Sequence, residues 1–152
     1  MPKAQVALLR TSPATVLRDY HTLLNLARYQ EIVAKDADTA LKVNISWHFF
    51  FPGSSTTPWQ LDGVIRSMKQ DGYDPSLIHA CHNRTVVIDA HLGERENKQV
   101  NVVDAHGLRK HPYLRDGRMD QYPGRRRRSD EEVHVPQRGV SIGVHDPEAF
   151  HR

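Results

Sequence analysis

Hydrophobic and polar residues alternate with two different periods along residues 5–109 of the chain. Short apolar runs, one of them with a strict alternation of apolar and polar residues, predict four β-strands. The predicted strands are Gln5–Arg10, Ala40–Trp47, Leu77–Cys81 and Val100–Val103. In the second strand, Leu41, Val43 and Ile45 are expected to face the core, because side chains alternate between the two faces of a strand.

The segments between these strands are longer and repeat their apolar residues at helical spacing. The first predicted helix begins at Ser12, a good N-cap, with Pro13 at the first helical position, and its apolar stripe continues to Val33. The second predicted helix is Trp59–Gln70. The run Thr85–Asn97 fits a strand or a helix, and we favour the helix. Strands that alternate with helices predict an α/β fold with a partial, mostly parallel sheet and flanking helices.

The composition changes near residue 109. Leu, Ile, Val and Phe supply 29 of the first 109 residues but 7 of the last 43, and a share below roughly 20% is typical of chains that bury too little surface to fold. We therefore predict an incomplete α/β domain at 1–109 and an irregular or disordered, non-native tail at 110–152. When the tail is translated back into DNA with permitted codons and this DNA is read one base later, the new frame is open. It encodes alternating apolar and polar residues. We hypothesise a frameshift near residue 110.

The charge balance and the cysteine content limit which ligands and cofactors the chain is expected to bind. The 21 basic and 18 acidic residues nearly balance, at a net charge of +3. Arg125–Arg128 is the one basic run, and three acidic residues at 130–132 partly neutralise it, so nucleic acid is not the expected partner. The single cysteine, Cys81, excludes a disulfide within the chain and a four-cysteine cluster, and we expect no cofactor in this chain. No run is long enough for a signal or membrane span, which favours a cytoplasmic protein without a membrane partner.

The best candidate site is the hydroxyl-rich loop Gly53–Pro58, which leads into the second predicted helix. Hydroxyl groups beside the unpaired N–H groups of a helix N-terminus suit a phosphate or a carboxylate, and Lys42 at the end of the preceding strand supplies positive charge. Ligands also collect at the carboxyl ends of parallel strands. The predicted anion-binding residues are therefore Lys42, Ser54, Ser55 and Thr57. The alternative is ordinary capping of the helix by Thr57.

Two other groups of residues carry weaker signals. His79, Cys81 and His82 end the third predicted strand, where His79 and Cys81 share a face and could begin a transition-metal site. Their spacing matches no standard metal motif, so these residues also fit the end of a buried strand. The aromatic run Phe49–Phe51, with Trp47 and Trp59, could stack on an aromatic or nucleotide ligand or simply pack at the junction of strand and loop.

Three features in a fixed order resemble a known family. They are Lys42-Val43-Asn44, the Thr57-Pro58 helix start and the strand LIHACH at 77–82. Together they resemble the domain-of-unknown-function 362 family, prokaryotic proteins often described as iron–sulfur-centre proteins. Members open with a strand, a helix and a strand that ends in Lys-Pro-Asn, so Val43 here replaces a proline. The resemblance covers residues 5–109 and adds Asn44 to the predicted anion site.

The resemblance implies that this chain is the N-terminal part of a protein about twice as long, truncated or frameshifted after about residue 109 and impaired in this form. The implied role is that of a ligand- or cofactor-binding protein linked to redox biology, with a small anionic ligand as its partner. An iron–sulfur cluster is implied only for longer members, whose later cysteines have no counterpart here. The alternative is a small stand-alone protein whose basic tail binds nucleic acid.

Overall fold

The structure is a computed structural model that describes residues 6–82 and 89–110, the last two by their backbone alone. Within these residues there are four α-helices and three β-strands. The helices are α1 (Val16–Leu26), α2 (Pro58–Gln70), α3 (Ala90–Glu96) and α4 (Gln99–Ala105). The strands are β1 (Thr39–Lys42), β2 (Ile78–Cys81) and β3 (Arg109–Lys110). The predicted tail beyond Lys110 lies outside the described residues.

The three strands form one parallel sheet in the order β1-β2-β3. In the pairing of β1 with β2, Thr39 lies opposite Ile78 and Lys42 lies opposite Cys81. Helix α2 connects β1 to β2, and α3 and α4 connect β2 to β3. The α/β class, the parallel sheet and the flanking helices predicted from the sequence are therefore confirmed.

The apolar core lies where the sheet meets α1, α2 and α4. The predicted second strand, Ala40–Trp47, is too long, because β1 ends at Lys42, but the predicted burial is confirmed: Val43 and Ile45 are buried and Leu41 is partly buried against the same cluster. The remaining buried members come from α1, α2 and α4, from strand β2 and from the turns between elements. They are Leu24, Tyr29, Leu61, Ile65, Met68, Tyr73, Ile78, Val103 and Leu108.

The predicted first strand, Gln5–Arg10, is wrong over residues 6–9, and Arg10 forms only a single-residue β-bridge. Residues 6–9 have no regular secondary structure, and the side chains of Val6 and Leu8 are 80% and 78% exposed. An apolar run becomes a strand only where a neighbouring strand supplies a continuous set of hydrogen bonds, and residues 6–9 are not part of the described three-stranded sheet.

The first helix is shorter than its apolar stripe predicts. A turn on the Ser12 carbonyl precedes it, so that α1 begins at Val16 rather than at Ser12. It ends at Leu26 because Arg28 takes a left-handed conformation, with φ of 57°, and the chain then turns through a short 3-10 helix, Tyr29–Glu31. That turn buries the Tyr29 side chain in the core.

The predicted fourth strand, Val100–Val103, is wrong, because these residues lie in helix α4. Valine favours strands locally, but tertiary contacts decide here: Val103 enters the core and His106 Nε2 lies 2.6 Å from Asp62 Oδ1 on α2. The strand that completes the sheet is β3, after α4. The helix favoured at Thr85–Asn97 is confirmed in its described part by α3, whereas residues 83–88 lie outside the description.

Helices α1 and α2 approach most closely at Gly63. A methyl group added there would overlap Cδ2 of Tyr20 and lie 2.8 Å from Cγ of the same ring. Tyr20 is itself only 3% exposed, so its ring has little room to move away. The absence of a side chain at Gly63 therefore sets the distance between the two helices.

We expect Gly63→Ala to lower the free energy of unfolding by about 1–3 kcal/mol, because overpacking outweighs the gain of about 1 kcal/mol that alanine brings to a helix interior. Urea denaturation measures the change. Gly53→Ala is the matched control, since a methyl group at Gly53 meets only Phe51 Cε2, at 3.9 Å. A Gly63→Ala variant as stable as the parent would contradict this close approach.

The carboxylate of Asp71, at the end of α2, joins α2 to α1 and the turn that follows it. It accepts hydrogen bonds from Tyr29 Oη at 2.7 Å and Asn25 Nδ2 at 2.9 Å, and His21 Nε2 lies 2.8 Å away. The backbone carbonyl of Asp71 accepts a further bond from Lys35 Nζ at 2.5 Å. Burial alone would raise the pKa of Asp71, but the three side-chain contacts outweigh it and hold the pKa below its ordinary value.

We expect Asp71→Asn to lower the free energy of unfolding at neutral pH by about 1–3 kcal/mol, because the amide loses the charge and one acceptor oxygen. The pKa of Asp71 is lower in the folded chain than its unfolded value of about 3.9, so this stabilisation is complete above roughly pH 4 and is lost as the pH falls through the folded pKa. Urea denaturation across this range should show the difference between parent and variant shrinking in acid. Asp36→Asn, at an exposed position, is the control. A difference that is independent of pH would contradict the assignment.

Candidate ligand site at the carboxyl edge of the sheet

Strands β1 and β2 end side by side, at Lys42 and Cys81. The backbone N–H of Val43 donates to the Cys81 carbonyl at 2.7 Å, so the two segments are still hydrogen-bonded to each other at this edge. The Lys42 side chain is exposed, whereas Cys81 is 8% exposed. Burial raises the pKa of the Cys81 thiol and the Lys42 ammonium only partly offsets this, so the thiol is protonated at neutral pH and is a poor nucleophile.

The loop between β1 and α2 folds back on itself through Asn44. The Asn44 N–H donates to Thr56 Oγ1 and its carbonyl accepts from the Thr56 N–H, both at 2.9 Å. The Asn44 side chain donates to the Ser54 carbonyl at 2.7 Å. These bonds hold the N-terminus of α2 against the end of β1, so the predicted residues Lys42, Asn44, Ser54 and Thr57 do lie in one region.

A second set of bonds closes the loop at Ser46. The Ser46 N–H donates to Ser55 Oγ at 3.2 Å, and Ser46 Oγ donates to the Ser54 carbonyl at 2.5 Å. The N–H groups of Ser54 and Ser55 both donate to the Phe51 carbonyl. The hydroxyl turn, Ser54–Thr57, therefore forms the base of a loop whose tip carries the aromatic residues.

Two buried amide side chains anchor the loop from outside. Asn97, 1% exposed, donates through Nδ2 to the carbonyls of Trp47 and Gly93, and its Oδ1 accepts from the Phe51 N–H. Gln99, 2% exposed, donates through Nε2 to the Thr56 carbonyl at 2.7 Å. Because the loop is fixed both at its tip and at its base, its side chains are preorganised.

The helix N-terminus itself offers less than the sequence predicts. Thr57 Oγ1 accepts from the Gln60 N–H at 3.2 Å and its carbonyl accepts from the Leu61 N–H, while Pro58 has no N–H. Ordinary capping thus accounts for Thr57. An anion at this place would depend on hydroxyl groups and Lys42 more than on helix N–H groups.

Three buried side-chain atoms around this edge have no hydrogen-bond partner within the described ranges 6–82 and 89–110. They are Ser54 Oγ, His82 Nδ1 and Gln99 Oε1. Ser54 lies in the hydroxyl turn, Gln99 bonds to the same turn, and His82 directly follows β2. Leaving such an atom unpaired costs about 1–3 kcal/mol, so this region has polar groups suited to a bound polar ligand.

Two of the three weak metal candidates, His79 and His82, lie next to different carboxylates. His79 Nδ1 lies 3.3 Å from Asp38 Oδ1, near the start of β1, whereas His82 Nε2 lies 2.9 Å from Glu94 Oε2 on α3. Cys81 lies in the strand between them. Among the described residues, no group of three or more His, Cys, Asp or Glu side chains is arranged to hold a metal ion.

Sequence reasoning missed the residues that organise the site from a distance. Asn97 and Gln99 act across more than forty residues of chain, and neither forms a local motif with the residues it contacts. No local signal marks them, because they lie in the polar run 94–99, whose sequence favours exposure. Glu94, which contacts both His82 and His91, was also missed.

In comparisons with known proteins, no protein-family model, curated protein or solved structure matches this chain. The resemblance to the domain-of-unknown-function 362 family therefore stays a prediction. None of the described helices has the length and apolar character needed to cross a bilayer. The basic run Arg125–Arg128 lies outside the described residues.

We expect Asn97→Ala to lower the free energy of unfolding by about 2 kcal/mol or more, because it leaves the Trp47 carbonyl and the Phe51 N–H without their partner. Tryptophan emission should also shift to the red as the aromatic tip loosens. Asn101→Ala, at an exposed position of α4, is the matched control and should change neither quantity. An Asn97→Ala variant with parental stability and emission would show that this amide does not anchor the loop.

Proposed function

We propose that this chain is a ligand-binding α/β domain that takes a small phosphate- or carboxylate-bearing ligand at the carboxyl edge of β1 and β2. The observation that carries this function is a pair of buried side-chain atoms without a hydrogen-bond partner among the described residues: Ser54 Oγ in the hydroxyl turn, and Oε1 of Gln99, the α4 residue whose amide donates to that turn. Buried polar groups in proteins are nearly always paired, so two at one strand edge favour a polar ligand there.

Each residue has a distinct role in this proposal. Lys42 supplies the positive charge, and Ser54 Oγ donates a hydrogen bond to the anion. The hydroxyls of Ser55 and Thr57 accept from backbone N–H groups, which leaves their own O–H groups available to donate. Asn44 positions the turn rather than contacting the ligand, since its backbone and side chain are engaged within the loop.

Gln99 and His82 extend the site beyond the anion. Gln99 Oε1 is an acceptor, so it suits a hydroxyl or N–H group of the ligand rather than an anionic oxygen. His82 is oriented by Glu94 through Nε2, which leaves Nδ1 facing away from that carboxylate. The activity proposed is binding, and no acid, base or nucleophile is assigned.

We further propose, from the resemblance at residues 5–109, that this domain is related to the N-terminal part of the domain-of-unknown-function 362 proteins and shares their association with iron–sulfur proteins. With one cysteine in the chain, a cluster would depend on ligands from elsewhere. The gene sequence tests the relationship: an open frame one base away from codon 110 that continues the fold supports it, and no such frame contradicts it.

Inorganic phosphate titrated into the full chain tests the anion site. We expect saturable binding by calorimetry, weakened by about 10-fold or more in Lys42→Gln, because a charge-assisted hydrogen bond contributes about 1.5–3 kcal/mol. Lys69→Gln, at an exposed lysine in the last turn of α2, is the matched control and should bind like the parent. Equal weakening by both substitutions would indicate unspecific charge attraction, and no binding of phosphate or acetate by the parent would contradict the proposed function.

A further inference from the structure

An ordered row of aromatic side chains projects from the tip of the loop. The Trp47 and Phe49 rings stack with centroids 5.7 Å apart and an angle of 18° between their planes, and Phe51 follows at 6.1 Å from Phe49. These three side chains are 44–51% exposed. Large aromatic groups that are half exposed, contiguous and mutually stacked are typical of binding surfaces rather than of a core.

The aromatic row and the hydroxyl turn are parts of one rigid loop. One end of the row adjoins Ser46, which bonds to Ser54 and Ser55, and at the other end the Phe51 carbonyl accepts from the same two serines. The Phe51 ring also lies near Gly53, the residue before the hydroxyl turn, since a methyl group added at Gly53 would be 3.9 Å from its Cε2 atom. A ligand held at the hydroxyl turn is therefore next to an aromatic face.

The loop between β1 and α2 carries no charged side chain of its own. From Val43 to Leu61 the sequence contains no Asp, Glu, Lys or Arg, and Lys42 directly precedes this neutral segment. In a chain of which 26% of the residues are charged, such a segment separates an anion-binding end from an uncharged aromatic surface. The matching ligand is anionic at one end and planar and neutral at the other.

We infer, on the basis of the proposed function, that the ligand is a phosphorylated compound with a planar heteroaromatic ring, of the class of nucleoside monophosphates. Its phosphate lies at Lys42 and Ser54, and its ring stacks on the row formed by Trp47, Phe49 and Phe51. Between them, the hydroxyl groups of a sugar suit the unpaired acceptor Gln99 Oε1. Stacking on an aromatic side chain requires only a flat π face, so the row selects for a ring without selecting strongly among bases.

Four probes separate the two ends of the site: adenosine monophosphate, ribose 5-phosphate, inorganic phosphate and adenosine. We expect the full chain to bind adenosine monophosphate at least about 10-fold more tightly than ribose 5-phosphate, the scale of effect that base stacking produces. Calorimetry gives the affinities. Tryptophan fluorescence reports on the same site, because of the two tryptophans of the chain Trp47 belongs to the aromatic row and Trp59 lies in the first turn of α2, next to the loop.

Variants of the row identify the surface that holds the ring. Phe49→Leu, which keeps an apolar side chain but removes the ring at the centre of the row, should reduce the affinity for adenosine monophosphate to that for ribose 5-phosphate and leave the latter unchanged. Phe50→Leu is the matched control, because Phe50 is equally exposed but has no ring contact with the row among the described residues. Circular dichroism establishes that both variants fold.

The outcomes distinguish this inference from the proposed function. Equal affinities for adenosine monophosphate and ribose 5-phosphate would overturn the aromatic inference and leave the anion site intact. Adenosine binding that needs Phe49, with no phosphate binding, would overturn the proposed function and the phosphorylated ligand with it. A dimer that forms in the parent and is lost in Phe49→Leu, without ligand binding, would assign the row to an interface between copies of this chain.

Discussion

The β1–α2 loop is held in place by two buried amides that come from much later in the chain. Asn97 binds the loop near its aromatic tip and Gln99 binds it at the hydroxyl turn, and each is almost fully removed from solvent. Hydrogen bonds of this kind are strongly favoured because the groups left unpaired without them would also be buried. The shape of the carboxyl edge, and with it every candidate ligand contact, depends on these two residues.

Helix α2 connects this edge of the sheet to the rest of the core, and its two ends make different contacts. At its N-terminus Thr57 caps the helix and joins the ligand site, while at its C-terminus Asp71 binds side chains from α1 and the following turn. Gly63 lies between them, where the two helices touch. Because the middle of α2 is tightly packed against α1, its N-terminal turn is a rigid support. A binding loop attached to this turn can hold its side chains in fixed positions.

The loop has a polar base and an apolar tip. At the polar base, helix capping and ligand binding are compatible with each other. Capping uses Thr57 as an acceptor and leaves its O–H group free, so a helix cap does not exclude a ligand. The aromatic tip is harder to explain as packing, since its rings stack on each other while about half of each remains exposed. The two features together favour a ligand that has two chemically different ends.

The sequence alone was sufficient to predict the α/β class, the burial of Leu41, Val43 and Ile45, and the Thr57 cap of α2. Each of these features depends on residues within a few positions of one another. The valines of α4 and the apolar run at 6–9 misled the sequence reasoning, since strand or helix there depends on which neighbours are present. The candidate site likewise has a part that the sequence predicts and a part that only the fold creates. Its hydroxyl turn and Lys42 are visible in the sequence, but the anchoring by Asn97 and Gln99 and the unpaired Ser54 and Gln99 atoms exist only once segments some fifty residues apart are folded together.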